Sequence, residues 1–246
     1  MKLVVCGSSW SSVSKKLGFE GTHWSELLSK KLNATLLNLA VGGASNSNIR
    51  LQLDAAKELE PNFILFNAEN AIRIDIKNLN KNNLKKNVKK YNSNNFAGRK
   101  TSTNHLITVS PSIIEQESKI TELVTNKQRQ AIYDYYEYIY DDIWKKQTDQ
   151  YIMNSGILDL YINNFNFLFN PYLLSDDFDL PKFIKEKHFV DSKLNFKIIR
   201  DMYTFSNKDD PGYHVSKDGQ KIIAELYYTE ITNYIEKYGL DKTNNV

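Results

Sequence analysis

Apolar residues recur along this chain with two different periods. Lys2–Cys6 is a nearly continuous apolar run closed by Gly7, the pattern of a short strand buried on both faces. Further on, Trp24, Leu27, Leu28, Lys31 and Leu32 recur at helical spacing, with Thr22 placed to cap the helix, which should run to about Leu32. Ala34–Val41 reads as a second strand, closed by Gly42-Gly43. Ser45 or Asn46 then caps a helix predicted to about Glu60, with Ile49, Leu53, Ala56 and Leu59 inward and Pro61 marking its end. Phe63–Phe66 is a third apolar strand. Strands of this kind alternating with helices predict βαβ units and an α/β fold, its parallel sheet covered on both faces. Ligands in such sheets sit beyond the carboxyl ends of the strands. Those ends are Gly7-Ser8-Ser9, Gly42-Gly43-Ala44 and Asn67–Asn70.

The pattern then lapses. Lys77 to about Asn104 is crowded with Asn and Lys and has almost no periodicity. It reads as a long solvated insertion, at about 77–109, in a single domain spanning 1–246; a lid or a basic grip on an anion are the alternatives. Ser110-Pro111 has the form of a helix start, and helical pattern continues with breaks to about Asn163. Ile132, Tyr136, Ile139, Ile143 and Trp144 in the Tyr-rich part are spaced for core or partner packing more than for an aromatic binding face. Phe165–Phe169 alternates with Asn like a strand and stops at Asn170-Pro171. Asp209–His214 contains Pro211-Gly212 and reads as a turn, after which Ser216 caps a last amphipathic helix through Ile222, Ile223, Leu226, Ile231 and Ile235.

Composition narrows the function classes. A chain of 246 residues is an ordinary length for one α/β domain. A net charge of +3 from 32 basic and 29 acidic side chains does not call for a nucleic-acid partner. No apolar run approaches the roughly 20 residues of a membrane span, and the apolar run after Met1-Lys2 is short for a signal peptide. The expectation is a soluble, cytoplasmic protein. The single cysteine, Cys6, excludes an internal disulfide and a multi-cysteine zinc site, and its place in the first strand makes it a buried apolar residue. Asn, Lys, Ile, Tyr and Phe are plentiful, a bias that an AT-rich genome produces without selection on function, so Asn/Lys-rich stretches carry little weight.

Four separated residues carry candidate chemistry: Ser9 after the first strand, Gly43 after the second, Asn70 after the third and His214 before the last helix. A hydrolytic serine needs a base within reach and donors aimed at the developing oxyanion. The backbone N–H groups of Ser9 and Gly43 and the side-chain amide of Asn70 are such donors; His214 is a candidate general base, with an upstream Asp to hold its tautomer. His23, His105 and His188 have no spaced partners and read as surface or loop residues.

The blocks "VVCGSSWSS", "LLNLAVGGASNSNI", "PNFILFNAEN" and "DDPGYHVSKDGQKIIAEL" resemble those of the SGNH (GDSL-like) hydrolase superfamily. The likeness covers roughly the first 75 and last 40 residues, and within the superfamily it is nearest to proteins carried by marine phages, which would place expression in a host cell. The resemblance implies a three-layer α/β/α sandwich with a mostly parallel central sheet. It also implies hydrolysis of an acyl ester or amide without cofactor or metal. By position, Ser9 matches the nucleophile, Gly43 and Asn70 the oxyanion donors and His214 the base. The implied substrate is a small-molecule or glycan acyl ester; no nucleic-acid or membrane partner is implied, and the oligomeric state is open.

Three departures stand out. Ser8 replaces the Asp that precedes the nucleophile and supports its turn. The third block reads Ala68-Glu69-Asn70-Ala71 in place of Gly-x-Asn-Asp, which makes Asn67 and Glu69 alternatives to Asn70. Pro211 occupies the position of the orienting acid, leaving Asp210, or else Asp209, for that role. Asn46 and Asn48, beside Gly43, are further pocket candidates unless they serve to cap the helix. Two other readings compete: an SGNH-fold protein that binds a glycan, nucleotide or protein without turnover, and a flavodoxin-like anion binder whose Gly7–Ser12 turn wraps a phosphate.

Overall fold

Four apolar runs pair into one parallel sheet in the order β2-β1-β3-β6, formed by β1 (Lys2–Cys6), β2 (Thr35–Asn38), β3 (Phe63–Asn67) and β6 (Phe167–Asn170). The structure is a computed structural model describing residues 1–13, 19–77, 106–109, 124–171, 178–190, 196–207 and 210–240. The chain passes from β1 to β2 on one side, then crosses to β3 on the other, so the strand order reverses at β1. In an open α/β sheet that reversal opens a crevice beyond the strand ends.

Side chains alternate across the strands into two cores. Val4, Cys6, Ile64, Phe66, Phe167 and Phe169 pack with Ile49 and Leu53 of α2 (Asn46–Lys57) and with Met153, Ile157 and Leu160 of the long helix α4 (Asp142–Ile162). On the opposite face, Leu3, Val5, Phe63, Leu65 and Leu168 pack with Trp24 and Leu28 of α1 (Trp24–Lys31) and with Ile223, Tyr227 and Ile231 of the last helix, α7 (Lys217–Tyr238). The result is a three-layer α/β/α sandwich. Fully buried side chains such as Ile49, Leu53 and Leu28 each contribute about 1.5–3 kcal/mol. Gly156 lets α4 lie close on α2, since a Cβ there would meet the Arg50 side chain at 2.9 Å. Cys6 is buried in this core, and burial pushes its thiol pKa up.

Smaller elements flank the sandwich: an antiparallel pair of β4 (Ile74–Lys77) and β5 (Leu106–Val109), α3 (Asn126–Tyr138), α5 (Lys182–His188), α6 (Phe196–Met202), and an antiparallel pair of β7 (Thr204–Asn207) and β8 (Asp210–Val215). Most of the predicted insertion, the helix start at Ser110-Pro111 and His105 lie outside the described residues. Among the described residues, no helix is long and apolar enough to cross a membrane.

Several expectations need correction. Asp210–Val215 is a strand, not a turn: Pro211 pairs with Ser206 and His214 with Phe205, so β8 accommodates Gly212 and Tyr213 in a break of register. Pro has no backbone N–H to donate, and a two-stranded ladder, in which each strand is an edge, tolerates that loss. The cap of α1 is His23, one residue after Thr22; its imidazole accepts from Ser25 N–H while the Glu26 carboxylate accepts from His23 N–H. Among the Tyr-rich positions Ile132 is buried, but Ile139, Ile143 and Trp144 are exposed, so the core reading holds for only part of that stripe. His23 and His188 are both buried; the surface expectation fails because each ring has partners inside the fold, Ser25 for His23 and a stack on Phe167 at 3.9 Å for His188.

Candidate functional site

The turn after β1 is gripped on both sides of Ser9. Ser11 and Ser12 N–H donate to Ser8 C=O at 3.1 and 3.0 Å, closing the turn. The Gln52 amide accepts from Gly7 N–H at 2.7 Å and donates to Gly7 C=O at 3.1 Å. Ser11 Oγ donates to Asn67 Oδ1 at 2.6 Å, and Asn38 Nδ2 donates to Ser11 C=O at 2.7 Å. Trp24 Nε1 donates to Trp10 C=O at 2.7 Å, and His23 also hydrogen-bonds the Trp10 backbone. Gly7 has φ +150° and a Cβ on it would lie 2.1 Å from Asn67 Oδ1, so only glycine fits there. Ser9 itself is half-buried. Ser8 is fully buried, and its Oγ has no hydrogen-bond partner among the described residues.

Gly43 follows β2 in a turn closed by Ala44 N–H on Val41 C=O at 3.0 Å. Its φ of +85° is the value that the third position of such a turn reserves for glycine. Nothing lies within 4 Å of where its Cβ would stand. Ser45 caps α2 by accepting from Asn48 N–H.

Beyond β3, Asn70 is exposed; its Oδ1 accepts from Ile72 N–H at 3.3 Å and its own N–H donates to Glu69 Oε1 at 2.9 Å. The alternatives point elsewhere. Asn67 is buried between Ser11 and Ala68 C=O, and Glu69, 2% exposed, pairs with Arg73 at 3.0 Å. Asn46 is not free to line a pocket: Oδ1 accepts from Glu69 N–H at 2.7 Å, and Nδ2 donates to Glu69 C=O at 2.8 Å and to Asp149 Oδ2 at 2.9 Å. Asp149 also pairs with Lys145. Burial raises the Asp149 carboxyl pKa, opposed by the bonds from Lys145 and Asn46 and reinforced by the charge of Asp75.

His214 reaches this rim through Trp10, whose ring packs on it at 5.6 Å between centroids and 43° between planes. The residue next to Ser9 therefore touches the imidazole of His214. The turn into α7 is set by Gln220, whose Oε1 accepts from Trp24 N–H at 2.9 Å, and by Ser216, which caps α7 by accepting from Gly219 N–H. Asp210 opens β8 opposite Asn207; Asp209 lies outside the described residues. His23 sits close enough to His214 for their charges to interact. Burial, chiefly, lowers the His23 pKa to about 3; the bond to the Trp10 backbone opposes this and the charge of His214 adds to it.

Ser9, Gly43 and Asn70 thus follow the carboxyl ends of three adjacent parallel strands, strands spaced about 4.8 Å apart, and the ring of Trp10, next to Ser9, packs on that of His214. The residues that hold this rim, Gln52, Asn38, Asn67, His23 and Trp24, were not legible as a group. Each is an ordinary polar or aromatic residue whose partner is distant in sequence.

No family model matches the chain, and no curated protein matches it in sequence. Among solved structures it is similar to a psychrotrophic esterase from Pseudoalteromonas sp., inhibited by monoethylphosphonate, with a TM-score of 0.50 at 12% identity over 96% of this chain and 98% of that one. It is also similar to TesA, with a TM-score of 0.49 at 12% identity over 95% and 99%. A member of the lipolytic protein G-D-S-L family from Veillonella parvula gives 0.45 at 11% identity over 94% and 98%. At such identities the likeness is one of fold, and the chain shares the α/β/α architecture of the Pseudoalteromonas esterase.

Proposed function

We propose that the chain is a serine hydrolase of SGNH type that cleaves an acyl ester of a small molecule or glycan. Ser9 Oγ attacks the acyl carbonyl carbon while His214 takes the Oγ proton. The negative oxygen of the tetrahedral intermediate is met by the N–H groups of Ser9 and Gly43 and by the Asn70 side-chain amide. Collapse of the intermediate breaks the ester C–O bond, and the leaving alcohol takes the proton from His214. Water, deprotonated by His214, then releases the acid and regenerates Ser9. Asp210 is the residue assigned to orient His214. The observation that supports this reading is the meeting of Trp10, the neighbour of Ser9, with the ring of His214 at a rim shared with Gly43 and Asn70.

The test is hydrolysis of p-nitrophenyl acetate by the wild type, Ser9→Ala, His214→Ala and Asn70→Ala. The first two substitutions should abolish turnover. Loss of one oxyanion donor should lower kcat by roughly 10²–10³-fold, with KM little changed. Turnover unchanged in Ser9→Ala would overturn the assignment. A binding role without turnover is the second reading, favoured by Ser8, a buried hydroxyl without a partner among the described residues where the resemblance expects a carboxylate. That reading predicts a wild type inert to every ester and stabilised against heat by a glycan, nucleotide or protein ligand.

A further inference from the structure

The helix α4 buries two charged residues that the proposed chemistry does not use. Lys145 and Asp149 form an i,i+4 ion pair. On a solvated helix face such a pair is worth only about 0.3–0.5 kcal/mol. Here Asp149 is 1% and Lys145 9% exposed, and burying a pair costs several kcal/mol per ion unless further hydrogen bonds satisfy it. Asn46 supplies that bond to Asp149 and, with its remaining amide atoms, brackets both backbone groups of Glu69.

The orientation of the Asn46 amide is dictated by its partners. Glu69 N–H can only donate, so it meets Oδ1; Glu69 C=O and the Asp149 carboxylate accept, so each takes one Nδ2 hydrogen. Two further ties join the same loops. Arg73 Nη1 donates to Ala44 C=O at 2.8 Å while pairing with the Glu69 carboxylate, and Ser45 Oγ donates to Asp75. Ala44 follows Gly43 and Glu69 precedes Asn70. The network therefore spans the two loops that carry the candidate donors, and its charged end lies on α4, in the part of the chain that the sequence blocks do not cover.

We propose that Lys145 and Asp149 are positioning residues: through Asn46 they fix the Glu69 peptide, and so the placement of Asn70 relative to Gly43. The inference rests on the reading of Asn70 and Gly43 as oxyanion donors. Neither charged residue touches the substrate. Their effect falls on kcat, because misplacing a transition-state donor leaves ground-state binding largely intact.

The experiment compares Asp149→Asn with Asp159→Asn in the full chain. Asp159 also ties α4 to α2, through Arg50 at 3.2 Å and through Lys57, but it makes no bond to the Glu69 loop. Both variants should lose thermal stability. Asp149→Asn should lower kcat about tenfold with KM within about twofold, a loss in keeping with an imprecisely placed donor; Asp159→Asn should keep kcat within about twofold. Lys145→Gln, which retains a donor to Asp149, is the milder variant and should move in the same direction by less. Hydrogen exchange of the 67–73 backbone, read independently of turnover, should rise in Asp149→Asn and Lys145→Gln and not in Asp159→Asn. Equal kcat losses in Asp149→Asn and Asp159→Asn, or unchanged exchange at 67–73 in Asp149→Asn, would overturn the proposal. Absence of turnover in the wild type would instead count against the hydrolase reading, with the exchange comparison still deciding whether the network holds the loop.

Discussion

Gly7 and Gly43 both have positive φ, yet replacing each with alanine should have very different consequences. At Gly43, with φ +85° and nothing within 4 Å of a new Cβ, the cost is backbone strain alone, about 1–2 kcal/mol. At Gly7 the Cβ would lie 2.1 Å from Asn67 Oδ1 and 2.8 Å from Ser11 Oγ. Strain there is joined by overpacking of about 1–3 kcal/mol. Displacing Asn67 also breaks the buried Ser11–Asn67 bond, another 1–3 kcal/mol or so. Gly7→Ala should therefore cost roughly 3–8 kcal/mol, a large share of the 5–15 kcal/mol or so that holds a domain folded. Urea unfolding followed by tryptophan fluorescence measures both variants directly. Equal costs for Gly7→Ala and Gly43→Ala, or a Gly7→Ala cost below about 2 kcal/mol, would show that the packing of Asn67 against Gly7 is not as described.

Two more predictions concern the same turn. His23 is held neutral in the fold, with its pKa lowered to about 3, so the unfolded chain binds the extra proton between that value and about 6.5. Stability should therefore fall as pH drops through that window, by about 1.4 kcal/mol per pH unit for this one group. His23→Asn, which retains a capping side chain, should flatten the slope of unfolding free energy against pH between 4 and 6 by about one proton; an unchanged slope would refute the burial argument. Ser8→Ala removes a buried hydroxyl with no partner among the described residues and should stabilise the fold by about 1 kcal/mol, seen as a rise of about 2–4 °C in Tm for a chain of this size. A fall in Tm would mean that the hydroxyl is hydrogen-bonded.

The sheet was legible because the runs in Lys2–Cys6 and Phe63–Phe66 are buried on both faces, and two-sided burial leaves an unbroken apolar pattern in sequence. The end of β1 was legible from Gly7 and the last helix from its Ser216 cap, whereas β2 stops at Asn38, short of the Val41 that Gly42-Gly43 implied. What escaped was polar and long-range. Lys145 and Asp149 carried no signal in the sequence; the partner that Asp149 meets inside the fold, Asn46, lies about a hundred residues earlier. His23 and His188 have no spaced partners in sequence, and only the packed fold supplies them. Pro211-Gly212 carried a strong turn signal, and β8 absorbs it as a break of register against β7. The exposure of Ile139, Ile143 and Trp144 depends on which faces of α3 and α4 meet the core, which helical spacing alone does not specify.

The central claim is that Ser9 is a nucleophile activated at this rim. Its most direct test is mass-spectrometric mapping of the adduct left by a fluorophosphonate in the wild type and in His214→Ala. The account predicts one phosphonyl group on Ser9 in the wild type and at least a hundredfold slower labelling in His214→Ala, as expected for loss of an activating base, commonly about 10²–10⁴-fold. A wild type that stays unlabelled, or an adduct on any other residue, would contradict it.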